Sequence, residues 1–365
     1  MNNTKPLTET DVEFQQRLLQ GVARTFALTI PQLPPELAGV VANAYLLCRI
    51  ADTIEDESAV GSRQKRLLAK AFIDAVGGRA SAQDFVARFY PMLSPQRPAA
   101  ERELVAQTAR VIRITHSFGV RQRAQLERCV RIMAKGMVFF QAQHPRNGLP
   151  DMQAFDRYCY HVAGVVGELL TGLYCDYSAE LDSRRAQLLA LAVSFGQGLQ
   201  MTNILRDIPT DLKRGICWLP RDVFSAAGYD LDQLGQSQAD PAFAAGLHRM
   251  LAVAHGHLRN ALSYTLLLPA QQGGLRKFCL WALGMALLSL RKIHKRPYFT
   301  AASQVKIRRA SVLAVMGVTA LLKGRNAMLQ SMFDRLAAPL PAAVPVTALN
   351  DPHGPVQAWF EQQNP

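Results

Sequence analysis

An all-α fold is predicted by three features of the 365-residue sequence. Apolar residues recur at steps of three and four through most of the chain, the period of a helix with one buried face. Prolines and glycines interrupt that pattern where helices would end. No Asn-Gly or Asp-Gly pair lies between alternating apolar runs, as a tight β-hairpin would need.

The pattern opens with "VEFQQRLLQGVARTFALTI" (12–30) and breaks at "PQLPPEL". It resumes in "ELAGVVANAYLLCRIADTIEDE" (36–57). Further helices are expected over 62–77, 81–90, 98–118, 121–142, 153–176, 181–207, 239–268, 273–294 and 302–323. They are separated by the stretch from Pro91 to Pro98, by "HPRNGLP" (144–150), by "PRD" at 220 and by Pro297. These connections are too short to mark a domain boundary, so residues 1–336 are expected to form one large helical domain. The tail, 337–365, is rich in proline and alanine and is expected to be an irregular strap or partly disordered.

Lys and Arg number 41 against 28 Asp and Glu, a net charge of +13. That balance favours anionic partners: nucleic acid, a membrane surface or a phosphorylated substrate. Nucleic acid is set aside, because the cations are dispersed and no zinc-finger or aromatic RNA-binding signature occurs. The six cysteines form no CxxC pair and read as buried thiols. His255 and His257, two apart, point to different helix faces and read as structural. The polar N-terminus has no apolar core of a secretory leader. The longest uninterrupted apolar run, "FCLWALGMALLSL" (278–290), has 13 residues, short of the ~18 needed to span a bilayer. The expectation is a cytoplasmic chain with no transmembrane segment, able to touch a membrane peripherally.

Chemistry concentrates at two acidic sites. In "RIADTIEDE" (49–57), Asp52, Glu55 and Asp56 stand at i, i+3 and i+4, on one helix face. Like charges so close need an offset from arginine, water or a metal ion. In "QMTNILRDIPTD" (200–211), Gln200, Asn203, Asp207 and Asp211 recur at steps of three and four. Pro209 is expected to bend that helix near its end and displace Asp211. Neither site offers His or Cys, and hard oxygen donors suit Mg²⁺ shared with substrate phosphates. Arg24, Arg49, Arg206 and Arg214 lie nearby in the chain and suit a diphosphate. Two acidic faces opposed across a bundle would hold a metal cluster.

These residues resemble the two aspartate-rich motifs of the squalene and phytoene synthase family. The likeness extends to "ARTFALTI" (23–30), "YLLCRIADTIED", "RYCYHVAGVVGELLTGLY" (157–174) and "GLQMTNILRD". "LPAQQGGLRKFC" and "VKIRRASVLAVM" are more similar to squalene synthases than to phytoene synthases. The resemblance covers about 20–325. It implies a single helical bundle of the isoprenoid synthase type with a central cavity. It implies condensation of two farnesyl diphosphates to presqualene diphosphate and reduction to squalene by NADPH. It implies Asp52, Asp56, Asp207 and Asp211 as Mg²⁺–diphosphate ligands, with Glu55 in support. Arg24, Thr25, Phe26, Tyr45, Arg49 and Arg206 would line the diphosphate pocket. Arg214 would supply a further diphosphate contact. Tyr158 would handle a proton, and Gln200 and Asn203 would lie near the second step. Lys306 and Arg308 would meet the cofactor phosphate, with Asn203 also near the cofactor.

A carbocation formed on ionisation needs a dry pocket with aromatic faces, for which Phe26, Tyr45, Tyr158 and Phe278 are available. No GxGxxG follows a strand, so a Rossmann site is not indicated. Two positions depart from the family pattern: Thr210 where an acid is usual, and Ile216 where a second base is common. Three alternatives stay open. One is a synthase that stops at presqualene diphosphate or makes dehydrosqualene or phytoene without a reductant. The others are a non-catalytic assembly factor of the same fold and a peripheral membrane-binding helical protein.

Overall fold

The computed structural model describes residues 9–23, 25–143, 146–235, 239–346 and 351–362. The all-α prediction holds. Among the described residues the one strand-like pairing is an isolated parallel bridge between Leu149 and Pro220. The chain divides into two compact units, 1–134 and 135–365. The sequence shows no break there because the division falls inside a helix.

The first unit contains α1 (Asp11–Val22), α2 (Pro35–Asp56), α3 (Ser62–Val76), α4 (Ala82–Phe89), α5 (Ala99–Ala106), α6 (Thr108–Ser117) and the start of α7 (Val120–Ala142). Thr10 and Glu13 form a capping box that starts α1, satisfying amides that have no partner inside the helix. Buried Asn43 on α2 accepts from Gln15 Nε2 at 3.1 Å and donates to Thr115 Oγ1 at 2.7 Å. It thereby joins α1, α2 and α6 without leaving its amide unpaired. Phe72, Phe85 and Phe89 pack ring to ring across α3 and α4.

The helix predicted over 98–118 is two, parted at Gln107. There the Thr108 hydroxyl donates to the Val105 carbonyl at 2.8 Å, a local bond that competes with the helical ladder.

The second unit holds the end of α7, then α8 (Met152–Cys159), α9 (Val165–Tyr177), α10 (Arg185–Lys213), α11 (Pro241–Leu267), α12 (Gly273–Lys295), α13 (Arg309–Leu322), α14 (Asn326–Ala337) and α15 (Gly354–Gln362). Asp151 and Asp240 cap α8 and α11 through bonds of 2.7 Å to Ala154 N and Ala242 N. Between α8 and α9 a π turn, Tyr160–Gly164, re-registers the helix. The long α10 packs on α9, α11 and α12. It passes α9 so closely that a Cβ at Gly167 would collide with the Ala192 carbonyl, and one at Gly196 with the Ala163 carbonyl. The helix runs through Pro209 to Lys213, so the predicted proline bend does not take Asp211 off the helix.

The tail is only partly irregular. Residues 341–346 form no element and lie along α11, where Val344 N donates to the Ala252 carbonyl and His255 bonds to the Pro341 carbonyl. The chain then forms α15, which buries Val356 and Phe360 and sets Trp359 edge-on to Phe139. All six cysteines are free, five of them buried.

One expectation is overturned. Three helices, Pro35–Asp56, Arg185–Lys213 and Gly273–Lys295, are long and apolar enough to cross a membrane by length and composition. The sequence reading asked for an unbroken apolar run. Mean hydropathy over a spanning length is the relevant quantity, and it tolerates isolated Asn, Arg or Asp. The prediction of a chain with no transmembrane-length segment, and the cytoplasmic placement drawn from it, are therefore corrected. About two thirds of each apolar window is buried against the protein's own side chains.

Candidate functional site

The first acidic motif occupies the last turn of α2. Asp52 and Asp56 stand one turn apart, both half-buried, whereas Glu55 is buried. The last turn carries no base, so the carboxylates coincide with the negative end of the helix dipole. Arg49 is the nearest offset. Its Nη1 lies 3.3 Å from Asp52 Oδ2, and its Nη2 lies 2.5 Å from Glu101 Oε1. Glu101 is also held by Arg97 at 2.8 Å, and Arg97 in turn by Glu57 at 3.0 Å. Burial raises the Asp52 pKa to about 6, with Arg49 opposing and the Asp56 charge adding. Carboxylates gathered at the negative end of a helix dipole form a site that favours a cation.

The second motif lies on the last turns of α10. Gln200 is half-buried, Asn203 is exposed, and Asp207 and Asp211 are half-buried. The polar stripe therefore lies on the accessible side of the last turns of the helix. Arg206 donates to both oxygens of Asp207, and Arg214 stands 4.0 Å from Asp211. Beside Asp211 is a small apolar crevice lined by Ile204, Ile208, Ile216, Trp218 and Leu234. Ile216 is part of that apolar wall. Thr210 is exposed.

Among the described residues, no three His, Cys, Asp or Glu side chains are gathered as a ready-made metal cluster. Each motif instead presents two aspartates one turn apart. That donor set fits Mg²⁺, which is held by one or two carboxylates and completes its shell with water and substrate phosphate.

Tyr158 is buried and lies flat on Trp218, with ring centroids 4.0 Å apart and planes at 11°. Phe140 meets it edge-on at 5.4 Å. Two stacked electron-rich faces can stabilise a cation. In the first unit, Phe26 packs 5.4 Å from Tyr45, whose hydroxyl donates to the Val22 carbonyl at 3.2 Å and whose pKa burial raises to about 12. Thr25 is half-buried beside them. Arg24 lies outside the described residues. Phe278 is buried on α12, and Lys306 and Arg308 are exposed just before α13. His255 and His257 are buried, on the Pro341 carbonyl and the Ser194 hydroxyl respectively, as structural histidines should be.

Sequence reasoning missed Glu101 and Arg97, which partner the Arg49 site from 52 and 48 positions away, so that no local spacing announces them. It also missed Trp218 and Asp156. Asp156 Oδ1 is buried without a hydrogen-bond partner among the described residues, and burial raises its pKa to about 7. Its place one turn before Tyr160, on the helix that carries Tyr158, was the available signal.

Long apolar helices ending in paired aspartates with arginine alongside define an all-α protein with two acidic helix ends. A sequence profile of the Squalene/phytoene synthase family matches residues 19–311. The chain belongs to that family. It is 27% identical over 297 residues to a squalene synthase of Eremothecium gossypii, a match covering 81% of this chain and 65% of the relative. The chain thus spans just under two thirds of that relative's length. Among solved structures, a ligand complex of TcSQS matches with TM-score 0.73 at 24% identity, covering 97% of each chain. A ligand complex of a dehydrosqualene synthase matches with TM-score 0.62 at 21% identity, covering 88% of this chain and 97% of that one. These likenesses show the isoprenoid synthase helical fold.

Proposed function

We propose that the protein condenses two farnesyl diphosphates head to head to presqualene diphosphate and reduces that product to squalene with NADPH. The observation that carries the reading is the pair of aspartate motifs, each ending a long apolar helix and each with an arginine in contact. Bound Mg²⁺ supplies charge neutralisation to a departing diphosphate. Asp52 and Asp56 would hold it at the first motif, and Asp207 and Asp211 at the second. Arg49 and Arg206 give the phosphate oxygens guanidinium donors, which act most strongly where charge develops. Phe26 and Tyr45, packed on each other, supply apolar surface in the first unit. The Tyr158–Trp218 stack offers a water-poor face to positive charge, and the Tyr158 hydroxyl is assigned the proton transfer. NADPH supplies hydride; Lys306 and Arg308, exposed and without ion pairs among the described residues, suit its phosphates, and exposed Asn203 suits contact with it.

The test is product analysis with purified protein, farnesyl diphosphate and Mg²⁺, with and without NADPH. Squalene appearing only with NADPH supports the reading. Dehydrosqualene without reductant, accumulation of presqualene diphosphate despite NADPH, or phytoene from geranylgeranyl diphosphate rejects it.

A further inference from the structure

Helix α13 is apolar on every face but buried on one only. Its sequence, RASVLAVMGVTALL, has one basic and no acidic residue. The inner face, with Val315 against Gly284 and Thr319 buried, packs on α12 and α14. The outer face carries Ala310, Leu313, Ala314, Gly317, Val318 and Leu321, all exposed, with Leu313 at 66% and Leu321 at 80%. Their spacing of three and four makes one continuous stripe. An all-round apolar helix normally lies in a core or a lipid phase, and a stripe left open to water marks a binding surface.

The helix is held in this pose. Buried Arg276 of α12 donates to the Lys323 carbonyl at 2.6 Å and to Asn326 Oδ1 at 2.8 Å, pinning the end of α13 to the start of α14. The stripe is thus a fixed outward feature of the second unit.

Charge identifies what covers it. Lys306, Arg308 and Arg309 precede the stripe and Lys323 and Arg325 follow it, with no acid between 305 and 325. None of the five makes an ion pair among the described residues. A second copy of the chain would bring ten such cations together, which opposes self-association. A protein partner would ordinarily meet aromatic or hydrogen-bonding anchors, and the stripe has neither. At 14 residues, or about 21 Å, α13 is too short to span a bilayer of about 30 Å. Aliphatic side chains between two cationic ends match a helix lying in the boundary between headgroups and acyl chains.

We infer that the outer face of α13 docks on an anionic bilayer, with Leu313, Val318 and Leu321 entering the acyl boundary. Arg309, Lys323 and Arg325 meet the lipid phosphates. This inference does not rest on the proposed reaction, since binding is measured without substrate.

The experiment is co-sedimentation of the full chain with phosphatidylcholine vesicles, with and without 30% phosphatidylglycerol. Wild type is expected to bind the anionic vesicles at least about tenfold more tightly, and less tightly as salt rises. Leu313→Gln with Leu321→Gln should weaken binding by about tenfold or more. Arg309→Gln with Arg325→Gln should remove most of the anionic preference. Circular dichroism of both variants should match wild type, because every altered side chain is exposed. Equal binding by wild type and the leucine variant overturns the proposal. So does wild-type binding no stronger to anionic than to neutral vesicles. A shift from dimer to monomer in the leucine variant overturns it too, since a second copy would then cover the stripe. Association that survives alkaline extraction, as a spanning helix would give, also counts against it.

Discussion

Arg206 closes its guanidinium fork on Asp207, the next residue in the chain, with Nε 2.9 Å from Oδ1 and Nη2 2.5 Å from Oδ2. Neighbouring helix residues do not face each other, so the pair forms by the long arginine folding back. Each side chain keeps about a third of its surface accessible, and a screened pair of this kind is worth about 0–1 kcal/mol. A phosphate oxygen can therefore replace the carboxylate at little cost. Asp207→Asn should lower turnover by about a hundredfold or more, in line with the loss of a group that stabilises developing charge. Thermal stability should change little. A kinetic comparison of wild type and variant, with unfolding curves for both, checks this.

Tyr158→Phe keeps the ring on Trp218 and removes only the hydroxyl. Its stability should fall by no more than about 1–1.5 kcal/mol, while the rate of the proton-dependent step falls steeply. Trp218→Ala removes the supporting face and should cost about 3–5 kcal/mol as a large-to-small core change. Chemical denaturation separates the two; equal loss of stability in both variants would make Tyr158 a packing residue.

Asp156 gives a pH signature of folding. Burial raises its native pKa to about 7, above the ordinary unfolded value of about 3.9. The native state thus holds a proton that the unfolded chain releases earlier. The associated stability is complete below about pH 4 and is lost as pH rises through about 7. Asp156→Asn should raise the melting temperature at pH 8 and leave it nearly unchanged at pH 4. A variant no more stable than wild type at pH 8 would mean that Oδ1 is not desolvated in solution.

Gly196 tests the close passage of α9 and α10. A Cβ there meets the Ala163 backbone carbonyl rather than a flexible side chain, so the helices must separate. Gly196→Ala should cost about 1–3 kcal/mol or more, whereas Gly317→Ala, on the open face of α13, should be neutral or stabilising. Paired melting curves read the difference.

Helix positions were legible because apolar spacing records which face is buried, and the acidic motifs were legible because each lies within one or two turns. What stayed hidden depends on contacts far apart in sequence. Glu101 reaches Arg49 from another helix, and Trp218 reaches Tyr158 across 60 residues. The break at Gln107 and the π turn at Tyr160–Gly164 leave the apolar period nearly intact, so periodicity does not register them. Helix α15 follows a proline-rich strap, whose composition masks it. The spanning-length apolar character of α2, α10 and α12 was missed because single polar residues interrupt each run without lowering its mean hydropathy much.

Both aspartate motifs are proposed to be required for departure of diphosphate, and pyrophosphate release from farnesyl diphosphate measures that requirement directly. Wild type should release pyrophosphate in proportion to product, saturably with Mg²⁺. Asp52→Asn and Asp207→Asn should each lower release by about a hundredfold or more while keeping wild-type helical content. Near-normal release by either variant, or release by wild type with all divalent cations chelated, would contradict the account.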